Sequence, residues 1–174
     1  SFAQKINFKK IDSIITSKIN EKDPSLMVGI VKNGNIIYEK YRGLSNLQHQ
    51  VSADKNTRSN IASTAKQFTA LMILQLSLEE KLSLEDDIRK YLPTFYTKVK
   101  EKIKIRHLIN HTSGIRDFYD LMSIQQNPWW SQEGLDNDDA LELLEKQEDL
   151  AFIPGSRYLY SNSVYPILTK IISK

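Results

Sequence analysis

Apolar positions in the first sixty residues fall into a helical rhythm and then an alternating one. Ile6, Phe8, Ile11, Ile14, Ile15 and Ile19 recur at helical spacing, which predicts an amphipathic helix over residues 6–20, closed off by Pro24. Leu26 to Val31 and Ile36 to Tyr41 then read as two strands around Asn33-Gly34, the strongest short hairpin signal. Residues 43–60 are polar and without period, so they are expected to be irregular. From Ser63 to Leu78 the chain is apolar on most sides, through Ala65, Phe68, Ala70, Leu71, Met72, Ile73, Leu74 and Leu76. Such a helix belongs in the middle of a protein and not on its surface.

Shorter helical patterns follow. Ser83-x-x-Asp86 resembles a capping box opening a short helix that stops at Pro93. Ile103 to Asn110 predicts another, ended by a turn at His111-Thr112-Ser113-Gly114. Asn137 is the expected cap of a helix carrying Ala140, Leu141, Leu143 and Leu144. After a Pro154-Gly155 turn, Tyr160-Ser161-Asn162 leads into a last helix with Val164, Ile167, Leu168, Ile171 and Ile172. The expected class is α/β (α+β), with residues 1–60 forming the N-terminal part of a sheet domain and residues 61–174 a helical domain. A two-stranded hairpin alone is marginal in water, and the last helix reaches Lys174 without a glycine or proline stop. More sheet is therefore expected to follow Lys174.

Composition narrows the partners. Lys+Arg 24 against Asp+Glu 21 gives a net charge of +3, too mild to imply a nucleic-acid partner. The densest basic stretch, Lys98 to Lys104, is interrupted by Glu101 and lacks an aromatic platform, so it reads as a solvated face. Absence of cysteine excludes disulfides and thiolate chemistry. No apolar run approaches the roughly 18 residues that a membrane span needs. Ser1-Phe2-Ala3-Gln4 resembles the small-residue end of a processed signal peptide, which predicts a periplasmic or secreted protein. The paired carboxylates Asp86-Asp87 and Asp138-Asp139 stand at helix starts, where capping accounts for them, and neither a metal nor a cofactor is expected.

Candidate chemistry begins with Ser63-Thr64-Ala65-Lys66. A lysine three residues after a serine lies one helical turn away on the same face, within reach of the hydroxyl. Serine is a poor nucleophile at neutral pH until a neighbouring base takes its proton, and lysine and tyrosine can both be tuned for that. The pattern alone is weak: Ser52-Ala53-Asp54-Lys55 matches it too, in a polar loop. Ser63 differs in starting an apolar helix, which is expected to desolvate Lys66 and places the hydroxyl at the positive end of the helix dipole. Its own N–H is a first-turn donor that can form half of an oxyanion hole. A plain N-cap at Ser63 with a surface lysine at Lys66 is the competing reading. Tyr160-Ser161-Asn162 is the only Tyr-x-Asn in the chain, and it too has a plain reading as a buried tyrosine and an N-capping asparagine. A Ser-His-Asp arrangement would draw on His49, His107 or His111 with Asp117 or Asp120, without a Gly-x-Ser-x-Gly elbow to support it. Trp129-Trp130 reads as loop packing or as a border to a site entrance.

Order and surroundings of these motifs resemble the serine β-lactamase and penicillin-binding-protein superfamily, closest to its class C-like branch of esterases, D-peptidases and β-lactamases. The resemblance runs from the hairpin Met27 to Gly34 through Ile61-Ala62-Ser63-Thr64-Ala65-Lys66 and Lys81 to Asp87 with Tyr91-Leu92-Pro93. It continues through Leu108-Ile109-Asn110-His111-Thr112-Ser113-Gly114 to Phe152-Ile153-Pro154-Gly155 and Tyr158 to Asn162. It implies a β-lactamase/transpeptidase-like fold and a small-molecule or peptide substrate carrying an amide, ester or β-lactam. It further implies acylation of Ser63, proton transfer shared by Lys66 and Tyr160, and Asn162 holding Lys66 and binding the substrate amide. The family's third motif, Lys or His followed by Ser or Thr and then Gly, does not occur here; Thr112-Ser113-Gly114 lies in the helical region. On the resemblance the chain reads as the N-terminal half of a larger domain and is expected to be little active alone. The alternatives are a catalytically silent penicillin-binding or sensor module and a half-domain that needs a complementary C-terminal fragment.

Overall fold

The computed structural model describes residues 6–131 and 134–174. The expectation placed on Ser1 to Gln4 lies outside them. Architecture is mixed α/β, and the chain divides into two compact units, residues 1–60 and 61–174.

In the first unit, helix α1 (Phe8–Lys18) is opened by Asn7, whose side chain accepts the Lys10 N–H at 3.1 Å. Strands β1 (Leu26–Lys32) and β2 (Asn35–Arg42) pair antiparallel around Asn33 and Gly34, whose φ values of 51° and 77° are those of a two-residue hairpin turn. The register slips between Ile30 and Val31, a bulge that leaves Ile37 unopposed. Phe8 stacks on Tyr38 at 5.5 Å, and the Tyr38 hydroxyl donates to Asp12 at 3.0 Å, so α1 covers one face of the hairpin. Residues 43–60 are not wholly irregular. Strands β3 (Leu44–Asn46) and β4 (Val51–Ser52) pair antiparallel as a second small sheet, held by backbone hydrogen bonds that hydropathy does not reveal.

The second unit carries the larger core. A 3₁₀ turn, Ala62–Ala65, precedes helix α2 (Lys66–Leu78). Two findings here depart from expectation. Ser83 and Asp86 do bond, Asp86 accepting the Ser83 N–H at 2.9 Å, but they shape a turn. The helical segment that follows is a single 3₁₀ turn, Ile88–Lys90, capped by Asp87. Helix α2 is also not enclosed: Ile73 is buried, whereas Phe68, Leu71, Met72 and Leu78 are exposed. The helix packs on one side, against the last helix, and that contact covers only part of its apolar circumference.

Helices α3 (Ile105–Ile109), α4 (Phe118–Ile124), α5 (Asn137–Glu145) and α6 (Val164–Ile172) complete this unit. The cap of α5 is Asp136 and not Asn137. Asp136 accepts the N–H groups of Asp138 and Asp139, and Asp139 accepts that of Asp136, a reciprocal box needing a carboxylate at both ends. Ile73, Ile88, Ile105, Leu108, Leu144 and Ile167 are fully enclosed and join these elements in one core. Among the described residues no helix is long and apolar enough to cross a membrane.

Candidate active site

Ser63 sits inside the 3₁₀ turn and Lys66 is the first residue of α2. Three residues per turn stack position i directly over i+3, so this turn aligns the two side chains more closely than an α-turn would. Lys66 Nζ donates to Ser63 Oγ at 3.1 Å. The decoy pair behaves differently: no hydrogen bond joins Ser52 to Lys55 among the described residues, and Ser52 lies in β4.

Tyr160 and Asn162 arrive from nearly a hundred residues away. The Tyr160 hydroxyl donates to Ser63 Oγ at 2.9 Å and lies 3.3 Å from Asn162 Oδ1. Lys66 Nζ donates to the same Asn162 oxygen at 3.0 Å, so all four residues predicted from the sequence meet around the serine hydroxyl. Asn162 does not cap α6; the cap position is Ser163, without a side-chain bond to the helix. The anticipated burial of Lys66 is only partial: it is half-buried, while Ser63 and Tyr160 remain exposed.

The run 159–163 is held by the segment His111–Phe118 lying alongside it. Leu159 N–H donates to the His111 carbonyl at 2.9 Å, and Ser161 N–H to His111 Nδ1 at 3.2 Å. Asn162 N–H and Asn162 Nδ2 both donate to Asp117 Oδ2, at 2.5 and 2.9 Å. The enclosed Ser163 hydroxyl donates to the Arg116 carbonyl at 2.6 Å and accepts from the Phe118 N–H at 2.7 Å. His111–Gly114 is itself braced by residues 151–155, with Ala151 N–H on the Gly114 carbonyl and Gly155 N–H on that of Thr112, each at 2.8 Å. Gly114 has φ 78°, and a Cβ there would stand 2.2 Å from the Phe152 carbonyl oxygen, so only glycine fits.

Electrostatics follow from these neighbours. Burial pushes the Tyr160 phenol up, but its hydrogen bonds to Lys66 and Ser63 and the lysine charge outweigh that and hold it below the ordinary tyrosine value. Burial, then the Lys66 charge, keep the His111 imidazole below its ordinary value, and its ring packs on Tyr160 with centroids 4.5 Å apart. No hydrogen bond joins a histidine to Asp117 or Asp120 among the described residues. His111 Nδ1 and Asp117 are both occupied by the 161–162 backbone, which removes the Ser-His-Asp reading. The sequence pattern gave Asp117 a role only in that reading and His111 one there and in a turn; neither was expected as a support of Tyr160 and Asn162. The usable signal was slight: Asp117 precedes an apolar helical start, and its Oδ1 does cap α4 through the Tyr119 N–H at 2.9 Å.

Comparison with known proteins bears on the family and the fold. The family model described as Beta-lactamase matches residues 11–174. The chain is 33% identical over 168 residues to Protein flp of Staphylococcus aureus (strain MRSA252), covering 94% of this chain and 32% of that one. It is 32% identical over 145 residues to Penicillin-binding protein 4* of Bacillus subtilis (strain 168), covering 82% of this chain and 31% of that protein. The chain thus spans about a third of the length of the curated relatives it matches. Among solved structures, the octameric penicillin-binding protein homologue from Pyrococcus abyssi superposes with a TM-score of 0.82 at 28% identity, over 97% of this chain and 39% of that one.

Proposed function

We propose that Ser63 is the acylated nucleophile of a serine hydrolase, on the premise that the chain belongs to the Beta-lactamase family. That superfamily comprises serine hydrolases acting on β-lactams, esters and amides. One observation carries the reading: Ser63 Oγ lies within hydrogen-bond reach of both Tyr160 and Lys66, and both of those touch Asn162 Oδ1. The proposed chemistry follows. Ser63 Oγ attacks the substrate carbonyl as its proton passes to the Tyr160–Lys66 pair, and a C–O bond forms. The leaving nitrogen or oxygen departs with that proton, leaving an acyl ester on Ser63. Water, deprotonated by the same pair, attacks the ester; the acid is released and the proton returns to Ser63. Positive charge on Lys66 favours the phenolate of Tyr160, which brings loss of the phenolic proton closer to neutral pH. Asn162 holds Lys66 and keeps one amide N–H for the amide carbonyl of a peptide-like substrate.

A fluorophosphonate or penicillin probe tests this. Labelling of the protein should disappear in Ser63→Ala; undiminished labelling of that variant would sink the assignment.

A second reading is favoured by the absence of a Lys/His-Ser/Thr-Gly triplet from the 174 residues. In the family pattern that triplet lies on a strand that brings the second oxyanion donor, and one such donor is worth about 10²–10³ in rate. In this reading the chain by itself is acylated but turns over slowly or not at all, as a binding or sensor module would. Stoichiometric acylation without turnover favours it, and steady hydrolysis of a simple ester by the 174-residue chain excludes it.

A further inference from the structure

We propose that Asp117 is a positioning residue that fixes which end of the Asn162 amide faces Lys66, an inference that rests on the acylation reading of Ser63. An asparagine amide has an acceptor end and a donor end of nearly the same shape, and the site needs them in one order. Asn162 Oδ1 must face Lys66, a donor with no acceptor capacity, and it does so at 3.0 Å. The opposite end, Nδ2, meets Asp117 Oδ2 at 2.9 Å. A carboxylate only accepts. Turning the amide over would set an N–H against the lysine and an oxygen against the carboxylate, converting two attractive contacts into two repulsive ones.

Asp117 can act this way because it is itself held at both oxygens. Oδ1 accepts the Tyr119 N–H at 2.9 Å as the cap of α4, and Oδ2 accepts the Asn162 backbone N–H at 2.5 Å. Rotating the carboxylate would leave the helix-end N–H of Tyr119 and the backbone N–H of Asn162 without their acceptor together. The residue touches neither Ser63 nor the space in front of it; it works through Asn162. An asparagine at 117 has one acceptor oxygen for these two positions, so holding the Asn162 amide sets a donor against the Tyr119 N–H, and capping α4 turns a donor toward Asn162.

Side-chain amide NMR on the 15N-labelled chain tests the orientation without needing any reaction at Ser63. The Asn162 amide pair, assigned by its loss in Asn162→Ala, should show one proton shifted well downfield by the carboxylate. That shift should survive in Lys66→Met and vanish in Asp117→Asn. Its persistence in Asp117→Asn, or its loss in Lys66→Met, overturns the inference while leaving the acylation reading standing. The kinetic consequence is read with the fluorophosphonate, which carries no amide for Asn162 to bind. Asp117→Asn should slow labelling at saturating probe about tenfold, as expected for partners in one hydrogen-bond network, with the half-saturating concentration unchanged. In an Asn162→Ala background the same substitution should add nothing. An equal loss in both backgrounds would show a merely structural role and overturn the proposal. Full labelling of Ser63→Ala would instead bring down the reading beneath it.

Discussion

Ser161 separates two residues of the candidate site, yet its own hydroxyl is buried without a hydrogen-bond partner among the described residues, although its N–H is bonded to His111. A buried unmet hydroxyl costs about 1–3 kcal/mol. Ser161→Ala should therefore raise the unfolding free energy by about 1 kcal/mol in denaturant titration; a drop in the midpoint would mean that the hydroxyl is bonded after all. The two half-buried histidines give a pH dependence whose sign can be worked out. Burial, followed by the Lys66 charge at His111 and the Lys104 charge at His107, holds both imidazoles below the ordinary value of 6.5. As pH falls below that value the unfolded chain binds protons that the folded chain refuses, so stability declines on the acid side. Denaturant midpoints measured at about pH 7.5 and about pH 5.5 should differ, with the lower one at acid pH, and His111→Gln should narrow the gap. Asp86 does not confuse this window. Hydrogen bonds from Lys90 and then Tyr91 hold it at about 2, so its contribution is lost only below the ordinary carboxylate value of 3.8.

Among the elements, the bracing segment His111–Gly114 is the most demanding. Any side chain at Gly114 must both adopt φ 78° and displace the Phe152 carbonyl, so Gly114→Ala should cost about 2 kcal/mol or more and lower the melting temperature. The same variant should also label poorly at Ser63, because residues 111–118 carry the run that holds Tyr160. The cap of α5 offers a milder test: Asp136→Ala should cost about 1 kcal/mol, whereas Asn137→Ala should cost little. Equal effects at the two positions would contradict the assignment of the cap. Helix α2 shows where periodicity misleads. Its residues are apolar nearly all round, which makes a helix certain to form only if something covers it, and the contact with α6 covers one flank. How much of an apolar helix is enclosed depends on its neighbours and is not written in its own sequence.

On the scale of the whole chain, the candidate site falls within one of the two compact units. The second unit holds all four candidate-site residues and one continuous core. Leu144 on α5 is fully enclosed in that core, so Leu144→Ala should cost about 2–5 kcal/mol by thermal or chemical unfolding. The sequence by itself determined the parts whose causes are local. The Asn33-Gly34 hairpin follows from backbone preferences at two residues, and the reach of Lys66 to Ser63 follows from a three-residue spacing. Tyr160-Ser161-Asn162 was recognisable as a second part of the site, although nothing local said what would hold it there. Only the tertiary structure decided the closure of Tyr160 onto Ser63 across 97 residues, and the approach of Asp117 to Asn162 across 45. It also decided the half-open setting of Lys66. Hydrogen bonds in the site have angstrom tolerances, and the groups that satisfy or orient them arrive from segments whose order along the chain carries no distance information until the core has packed.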